Sequence, residues 1–311
     1  MSPNAPENDQ YEYMFTVFTP TYNRAHTLQR VFESLNAQTF RDFEWLIMDD
    51  GSSDNTTELV DEWKNTSSIP IRFIWQENQG KHIAYNRGVQ EARGKLFVAL
   101  DSDDACVPDT LAQFKHYWES IPPDIRDQFS GVAVHCMDPQ GHMVGTPYPS
   151  AIVDTTAIEM LNNGIQGEKW GIHQTSILKK FPYPEIIGEK WCPEGLVWNR
   201  IAQHYKMRFV NIVLRIYIPN ISGITSSIIV LRVRNPHGSR LYYRECNLLP
   251  ITLKLRCMHL INYLRFSLHA SLSIYQIIAE APNKLLAVIA MPIAYAMFKR
   301  DLSAIAHLST R

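Results

Sequence analysis

The sequence predicts an α/β protein with a mostly parallel sheet, helices on both faces of the sheet and a helical C-terminal extension. Three observations lead to this prediction. Short β-rich runs alternate with helically periodic segments up to about residue 138, one of these runs is almost wholly apolar, and the residues after 245 are apolar and basic with helical spacing. Repeated βα units of this length imply parallel strands joined by crossover helices.

The first βα unit follows a short polar N-terminal segment. Residues 15–18 (FTVF) predict a strand that ends at Thr19-Pro20, because proline cannot extend a strand ladder. A helix is predicted next from the i, i+3, i+4, i+7 spacing of Leu28, Val31, Phe32 and Leu35.

The second unit contains the run FEWLIM at residues 43–48, which is typical of a strand buried on both faces. The strand ends in Asp49–Asp54, and Asp54 is a predicted N-cap for the helix that follows. A third strand is predicted at residues 71–75, with a helix that runs to about Ala92.

The fourth strand is predicted at residues 96–100 and ends in Asp101-Ser102-Asp103-Asp104. Pro108 opens the next helix, since proline is tolerated in a first helical turn. A fifth strand is predicted at residues 131–137.

From about residue 139 the sequence is turn-rich, with one helical segment at residues 194–205. Residues 248–268 and 271–298 are apolar, aromatic and basic with helical spacing. The longest uncharged stretch near the end, residues 285–298, has 14 residues and includes Pro292, which is short of the roughly 20 needed to span a bilayer. Two interpretations stay open: interfacial helices at a membrane, or helices that pack on the domain or pair two chains.

Charge is distributed unevenly, although the whole chain has a formal net charge of only −1. Residues 203–311 contain 14 Lys and Arg but three Asp and Glu, which gives a net charge of +11. Asymmetry of this size suggests an acidic partner such as a membrane, or pairing of the two halves with each other. The basic residues are dispersed among aliphatic helices, so a nucleic-acid partner is not expected.

Cysteine usage and the N-terminus bear on location. The five cysteines are odd in number and include no C-x-x-C pair, so neither a disulfide framework nor a zinc knuckle is expected. The first ten residues are polar and lack the apolar segment of a signal peptide. The expected location is cytoplasmic, peripheral on the cytoplasmic face of the inner membrane.

Polar clusters follow three of the predicted strands, at residues 19–24, 49–54 and 101–104. In open α/β sheets ligands bind at the carboxyl ends of the strands, so these loops are expected to converge. In extended geometry Asp101 and Asp103 would point to the same side, where their like charges repel. A hard divalent cation reverses that repulsion, and oxygen ligation favours Mg²⁺ or Mn²⁺.

Such a metal usually completes its shell with substrate phosphates, so the substrate is expected to carry a phosphate or diphosphate. Neither a P-loop nor a G-x-G-x-x-G fingerprint is present, and kinase loop motifs are absent as well. Metal-bound nucleotide chemistry of another kind is therefore predicted.

Four motifs resemble the donor half of family 2 glycosyltransferases of the GT-A fold. They are TPTYNR (19–24), FEWLIMDDGSSDNT (43–56), ENQGKHIAYNRG (77–88) and LDSDD (100–104). A looser similarity runs through residues 181–202, which resemble the acceptor side of bacterial members that build surface polysaccharides. The resemblance implies a GT-A, Rossmann-like sheet.

The resemblance also implies a role for each matching residue. Asp50 would accept a hydrogen bond from the nucleotide base, and Lys81 would lie near the diphosphate. Asp101 and Asp103 match the D-x-D motif of the family, with Asp103 the best candidate for direct metal ligation. The residues expected to bind the donor are Thr19, Pro20, Tyr22, Arg24, Asp50, Lys81, Asp101 and Ser102.

Glu194 matches the acidic residue that serves as catalytic base in the family. The family often has a second acidic residue next to it, whereas this chain has Gly195. Glu189 is therefore a competing candidate. A carboxylate suits the role, because the acceptor hydroxyl must lose its proton as it attacks the anomeric carbon.

The resemblance implies an inverting, metal-dependent transferase that moves a sugar from a nucleotide-diphosphate donor, UDP-sugar favoured, to a saccharide or lipid-linked saccharide. The alternatives are an inactive nucleotide-sugar-binding or assembly protein and a sugar-phosphate nucleotidyltransferase. Four parts are expected: a flexible N-terminus (1–12), a donor half (13–138), an acceptor half (139–245) and the helical C-terminal region (246–311). A homodimer is a further possibility.

Overall fold

A computed structural model describes residues 11–165, 167–218 and 228–309. The expected flexible N-terminus, residues 1–12, lies almost wholly outside the described residues. The described chain is organised around one ten-stranded sheet in the order β3-β2-β1-β4-β9-β6-β10-β5, with β7 paired to β6 and β8 paired to β10. The α/β class is confirmed.

The strands fall between residues 13 and 216. They are β1 (Tyr13–Thr21), β2 (Phe43–Asp49), β3 (Ile71–Trp75), β4 (Gly94–Ala99), β5 (Ala105–Cys106), β6 (Phe129–Met137), β7 (Met143–Val144), β8 (Ile152–Thr155), β9 (Lys169–Gln174) and β10 (Lys206–Ile216).

Helices connect the strands and then form the C-terminal part of the described chain. They are α1 (Ala25–Asn36), α2 (Thr56–Thr66), α3 (Lys81–Glu91), α4 (Thr110–Glu119), α5 (Ala157–Asn162), α6 (Thr175–Leu178), α7 (Gly195–Ala202), α8 (Ile228–Arg234), α9 (Pro236–Leu248), α10 (Leu253–His269), α11 (Ile274–Glu280) and α12 (Lys284–Ser309).

The first four strands form a parallel block. β1 lies between β2 and β4, and β3 pairs with the outer edge of β2, all in parallel register. Every residue of β2 is buried, as its apolar run predicted. Parallel strands end at a common edge, so the loops after β1, β2, β3 and β4 meet there.

The rest of the sheet is mixed. β9 pairs antiparallel with both β4 and β6, whereas β10 pairs parallel with β6. The sequence analysis placed residues 169–174 and 206–216 in turn-rich sequence, so β9 and β10 were missed. β9 contains Trp170 and Gly171, and its strand conformation depends on two distant partners rather than on local propensity.

Apolar side chains cover both faces of the sheet. One cluster joins α1, α2 and α4 to the sheet around Trp45 and Phe114, and a second joins α3 and α7 around Phe18 and Leu196. A third cluster, built around Tyr263 and Phe266, lies within the C-terminal helices.

The C-terminal helices begin before the expected boundary at residue 246, which falls inside α9. Tyr243 of α9 belongs to the C-terminal cluster, while Tyr242 packs partly against the cluster that contains α7. Helix α9 therefore connects the two parts. Among the described helices, none is both long enough and apolar enough to cross a membrane.

Candidate functional site

A cleft of about 590 Å³ lies at the carboxyl edge of the parallel strands. It is lined by the loops after β1, β2 and β4, by the first residue of α3, by the start of α7 and by residues of β10, α8 and α9. The cleft brings together most of the residues predicted from the sequence, which are Pro20, Tyr22, Arg24, Asp50, Lys81, Asp101, Ser102, Asp103 and Glu194.

The loops after β1 and β2 are bonded to each other. The backbone N–H of Asn23 donates to Ser52 Oγ at 2.8 Å, and Asn23 Oδ1 accepts from the backbone N–H of Ser53 at 2.8 Å. Asn23 has a positive φ of 53°, which places its side chain for this contact. These bonds hold the Thr-Tyr-Asn-Arg loop against the Asp-Gly-Ser loop.

Asp54 has a wider role than the predicted N-cap. Asn55 occupies the N-cap position of α2, while Asp54 Oδ1 accepts from the hydroxyl and backbone N–H of Thr56. The second oxygen, Oδ2, accepts from the backbone N–H of Ala25 at 3.0 Å. One carboxylate therefore ties the start of α1 to the start of α2.

Asp50 is bound by the loop that follows β3. Its Oδ1 accepts from Gln76 Nε2 at 2.7 Å and from the backbone N–H of Gln79 at 2.9 Å, and its Oδ2 accepts from the backbone N–H of Gly80 at 2.8 Å. A carboxylate has about four acceptor positions, so one remains for a ligand.

Thr19 does not line the cleft, in contrast to the prediction. It is fully buried, and its hydroxyl accepts a 2.9 Å hydrogen bond from Trp45 Nε1 in the core. Thr21, two residues on, lines the cleft instead, and its buried Oγ1 has no hydrogen-bond partner in the described structure. Thr19 and Thr21 share a face of β1, so alternation does not separate them. They differ in position along the strand, because Thr21 is the last residue of β1 and Thr19 lies two residues further into the sheet.

The acidic segment after β4 is a turn, not an extended strand as predicted. β4 ends at Ala99, and the backbone N–H of Asp104 donates to the carbonyl of Asp101 at 3.1 Å. Both Asp101 and Asp103 line the cleft, but Asp101 is paired with Lys81 and Arg215, so the extended geometry assumed for the pair does not apply.

Lys81 lies between two carboxylates. Its Nζ is 2.8 Å from Asp101 Oδ1 and 2.9 Å from Glu194 Oε1. Burial alone would lower the pKa of Lys81, but the charges of Asp101 and Glu194 outweigh burial and raise that pKa. The first residue of α3 thus joins the turn after β4 to the start of α7.

Arg215 is a site residue that the sequence analysis missed. From β10 its Nε donates to Asp104 Oδ2 at 2.7 Å, and its Nη2 lies 3.0 Å from Asp101 Oδ2 and contacts Asp104 as well. Burial would raise the pKa of Asp101, but Lys81 and Arg215 outweigh it and lower that pKa to about 2. Asp101 is therefore ionised at neutral pH.

Glu168 also lines the cleft and was missed. Its Oε1 is 3.7 Å from Arg215 Nη1, and burial raises its pKa.

For Arg215 the sequence offered one signal, a single charge in the apolar run at residues 209–218 (FVNIVLRIYI). A single charge in an otherwise apolar run indicates a buried ion pair.

Asp103 differs from its neighbours. Its backbone carbonyl accepts from Arg30 Nη1 at 2.8 Å, but its carboxylate has no hydrogen bond or ion pair with any described residue. Within the described ranges no group of three His, Cys, Asp or Glu side chains is arranged to hold a metal. The protein thus offers isolated carboxylates at this point rather than a complete set of ligands.

The two candidate bases lie in different surroundings. Glu194 immediately precedes α7, lines the cleft and is half-exposed. Glu189 is buried, and its two oxygens accept from the backbone N–H groups of His237 and Gly238 at 2.6 and 2.8 Å, at the start of α9. Both oxygens of Glu189 therefore serve as hydrogen-bond acceptors for the N-terminus of α9.

A second, smaller cavity of about 230 Å³ adjoins the cleft and shares Lys81, Asp101 and Glu194 with it. Its walls are largely aromatic, and the His173 ring stacks on Trp198 with 4.8 Å between centroids. The buried Nδ1 of His173 has no partner in the described residues, and burial lowers the pKa of His173 to about 4.

Residues 16–136 match the family model described as Glycosyl transferase family 2. This segment is a family 2 glycosyltransferase domain. It is 34% identical over 105 residues to an uncharacterized glycosyltransferase of Nostoc sp., a match that covers 34% of this chain and 33% of the relative. The chain thus spans only about a third of the length of that curated relative.

Solved structures extend the comparison beyond the family 2 domain. S. aureus TarS 1-349 in complex with UDP-GlcNAc aligns with a TM-score of 0.63 at 19% identity, over 92% of this chain and 81% of that one. The mannosyltransferase PcManGT from Pyrobaculum calidifontis, in complex with GDP-Man and Mn²⁺, aligns with a TM-score of 0.53 at 19% identity, over 97% and 81%. The fold is therefore of the GT-A type, as the resemblance implied.

The family 2 domain supplies only part of the cleft. Asp50, Lys81 and the turn after β4 lie within residues 16–136, whereas Glu194 and Arg215 lie outside the matched segment. The site is completed by the part of the chain that sequence matching does not cover.

Proposed function

We propose that the chain is a metal-dependent glycosyltransferase that binds a nucleotide-diphosphate sugar in the cleft. One observation carries the proposal: the Asp103 carboxylate, the Lys81 ammonium and the Glu194 carboxylate line one cleft, which the family 2 domain and the start of α7 form together. These three groups supply what transfer from a nucleotide sugar requires: a metal ligand, a cation for the diphosphate and a proton acceptor.

The donor is proposed to be a UDP-sugar. Asp50 has an acceptor position left for the base, and Tyr22 and Arg24 line the same end of the cleft. Two proteins of similar fold were solved with nucleotide-diphosphate sugars, TarS with UDP-GlcNAc and PcManGT with GDP-Man. They support a donor of this class, and the choice of UDP is our proposal.

Mn²⁺ or Mg²⁺ is proposed as the cofactor, with Asp103 as the main ligand and Asp101 beside it. The residues fit such an ion, because the carboxylate of Asp103 has no partner among the described residues and a metal held by one or two carboxylates takes its remaining ligands from phosphate and water. When bound, the ion neutralises charge that develops on the departing diphosphate. Asp101 is already paired with Lys81 and Arg215, which favours Asp103 for direct contact.

Glu194 is proposed as the general base. It is half-exposed at the junction of the cleft and the aromatic cavity, where an acceptor hydroxyl could reach it. Lys81 holds its Oε1 at 2.9 Å and so fixes the position of the carboxylate. One direct displacement with this base needs no enzyme nucleophile and inverts the anomeric configuration.

The acceptor is proposed to be a saccharide or lipid-linked saccharide of bacterial surface polysaccharide synthesis, with the protein peripheral on a membrane. The resemblance of residues 181–202 supports the acceptor class. The net charge of +11 on residues 203–311 supports an anionic membrane surface.

Isothermal titration with UDP, with and without Mn²⁺, tests this function. We expect UDP to bind wild-type protein only with the metal, and Asp103→Ala to weaken that binding about tenfold or more, since the loss of supporting groups alone costs 10–100-fold in metal affinity. The matched control is Asp124→Ala, because Asp124 is exposed and lies outside the cleft.

Three results would contradict the proposal. Equal metal-dependent affinity in Asp103→Ala and wild type would remove Asp103 from the metal site. Failure to bind UDP, GDP or dTDP with either metal would overturn the glycosyltransferase proposal itself. Binding without turnover of any UDP-sugar would instead identify an inactive nucleotide-sugar-binding protein.

A further inference from the structure

The outer side of α12 is an exposed apolar surface. Leu285, Val288, Ile289 and Ile293 are 72, 57, 64 and 54% exposed. Val288 and Ile289 follow Leu285 by three and four residues, and Ile293 follows Ile289 by four, which places them on one side of the helix. Residues 285–298 contain no charged side chain. At 1.5 Å per residue this uncharged segment is about 20 Å long.

The opposite side of α12 is apolar too. Ala287 and Ala294 are buried in the C-terminal cluster, and Met291 packs against it. A helix that is apolar on all sides is typical of helices that are covered on all sides. The described residues cover only the inner side of α12, so its outer side is the place for a further contact.

Cations mark both ends of this surface. Lys284 precedes it, and Lys299 and Arg300 follow it, all three exposed. The acidic residues of the C-terminal helices do not neutralise them. Each of these acids is paired with an arginine, in Glu245–Arg200, Glu280–Arg240 and Asp301–Arg265.

This charge pattern selects the kind of partner. If two copies of the chain paired through α12, the cations at each end would face cations of the other copy in either orientation, and like charges oppose such pairing. An anionic bilayer surface satisfies both features, because its headgroups neutralise the cations while its acyl boundary receives the apolar side chains.

We propose that the outer side of α12 lies in the headgroup and acyl boundary of an anionic membrane. Leu285, Val288, Ile289 and Ile293 enter the acyl boundary, while the flanking cations contact lipid phosphates. The helix lies along the surface and does not span it. The inference rests on the peripheral location in the proposed function but not on the donor chemistry.

Flotation of the full chain with vesicles tests the inference. We expect binding to phosphatidylcholine vesicles that contain phosphatidylglycerol and little binding to phosphatidylcholine alone. Ile289→Glu should lower the partition coefficient about tenfold or more, because it places a charge where an apolar side chain enters the bilayer. Lys284→Glu should lower the partition coefficient about fivefold or more for each unit of charge that the substitution changes.

Ile187→Glu is the matched control, because Ile187 is fully exposed and lies in the segment before α7 rather than on α12. It should bind vesicles as wild type does. UDP titration of each variant shows separately whether the fold and the nucleotide site are intact, so loss of vesicle binding and loss of donor binding are distinguishable.

Absence of binding to anionic vesicles, or equal binding by Ile289→Glu, would overturn the inference. So would a dimer in light scattering that Ile289→Glu converts to monomer, since a second copy would then cover the surface.

Discussion

At the scale of single residues, cations organise the carboxylates of the cleft. Lys81 connects Asp101 to Glu194, and Arg215 connects Asp101 to Asp104. Arg215 and Asp104 form a buried pair, and removal of either one would leave an uncompensated charge in the core. Asp103 stands outside this chain of contacts, which leaves its carboxylate free for a ligand.

The two candidate bases predict opposite outcomes. Glu194→Gln should lower the sugar-transfer rate by about 10²–10⁴, the usual contribution of a general base, with UDP affinity nearly unchanged. Glu189→Ala should instead lower the free energy of unfolding by about 1–2 kcal/mol, because the N-terminus of α9 loses its acceptor. Transfer assays and urea unfolding of both variants check this. A large rate loss in Glu189→Ala with normal stability would reverse the assignment.

His173 predicts a pH dependence of stability. Burial lowers its pKa from 6.5 to about 4, so between these values the unfolded chain binds the proton and the folded chain does not. Its contribution is complete above pH 6.5 and is lost as the pH falls toward 4. Urea unfolding at pH 7 and pH 5 should show a shallower pH slope in His173→Phe than in wild type, by up to about 1 kcal/mol per pH unit. His116→Phe, at an exposed site, is the control, and equal slopes in all three proteins would contradict the prediction.

Site residues could be predicted where a charged side chain comes directly after a predicted strand. Asp50 and Asp101 do so, and parallel strands bring such residues to one edge whatever the details of packing. Arg215 could not be found this way, because it lies 111 residues from Asp104 and reaches it only through the pairing of β10. Thr19 was wrongly assigned to the cleft, since the sequence does not show that Trp45 takes its hydroxyl.

At the scale of elements, the loop between β3 and α3 is shaped by one glycine. Gly80 has φ of +99°, and its backbone N–H donates to Asp50. A Cβ at this position would lie 2.0 Å from the carbonyl oxygen of Lys190. The loop therefore packs against the segment before α7 only because no side chain intervenes.

A comparison of Gly80→Ala with Gly188→Ala separates the cost of a positive φ from the cost of a steric clash. Both residues have positive φ, but a Cβ at Gly188 would meet nothing within 4 Å. Gly188→Ala should lower the free energy of unfolding by about 1 kcal/mol. Gly80→Ala should add about 1–3 kcal/mol of steric cost and weaken UDP binding. Urea unfolding and UDP titration provide the measurement, and equal effects of the two substitutions would show that the contact with Lys190 is unimportant.

Elements were predictable where local pattern and global packing agree. The apolar run of β2 and the periodicity of α1 are of this kind. β9 and β10 were missed because their strand conformation depends on partners far along the chain. Helix α9 contacts both the sheet domain and the C-terminal helices. Residue composition alone could not show that the boundary expected at residue 246 falls inside this helix.

At the scale of the whole molecule, charge is separated along the chain. Residues 1–202 contain 16 Lys and Arg against 28 Asp and Glu, a net charge of −12, whereas residues 203–311 have +11. Some of these opposite charges neutralise each other within the protein, as in the ion pairs of Arg208 with Asp154 and of Arg215 with Asp101. Lys284, Lys299 and Arg300 form no ion pair with any described residue.

This separation predicts unusual ion-exchange behaviour. With a sequence pI of about 6.8, the protein is slightly anionic at pH 7.5, yet we expect a cation exchanger to retain it at low salt through its C-terminal helices. Lys284→Glu combined with Lys299→Glu should elute at clearly lower salt, whereas Lys115→Glu on α4 should have a small effect. Passage of wild type through the column without retention would contradict the prediction.

The position of β9 has a consequence for how the chain is made. β9 is synthesised after β4 and β6, yet it lies between them and pairs with both. Until residue 174 has left the ribosome, the Leu-Phe-Val run of β4 has an open edge, and open apolar edges recruit other strands. A fragment cut at the end of the family 2 domain would keep that edge permanently, so we expect it to aggregate when expressed alone.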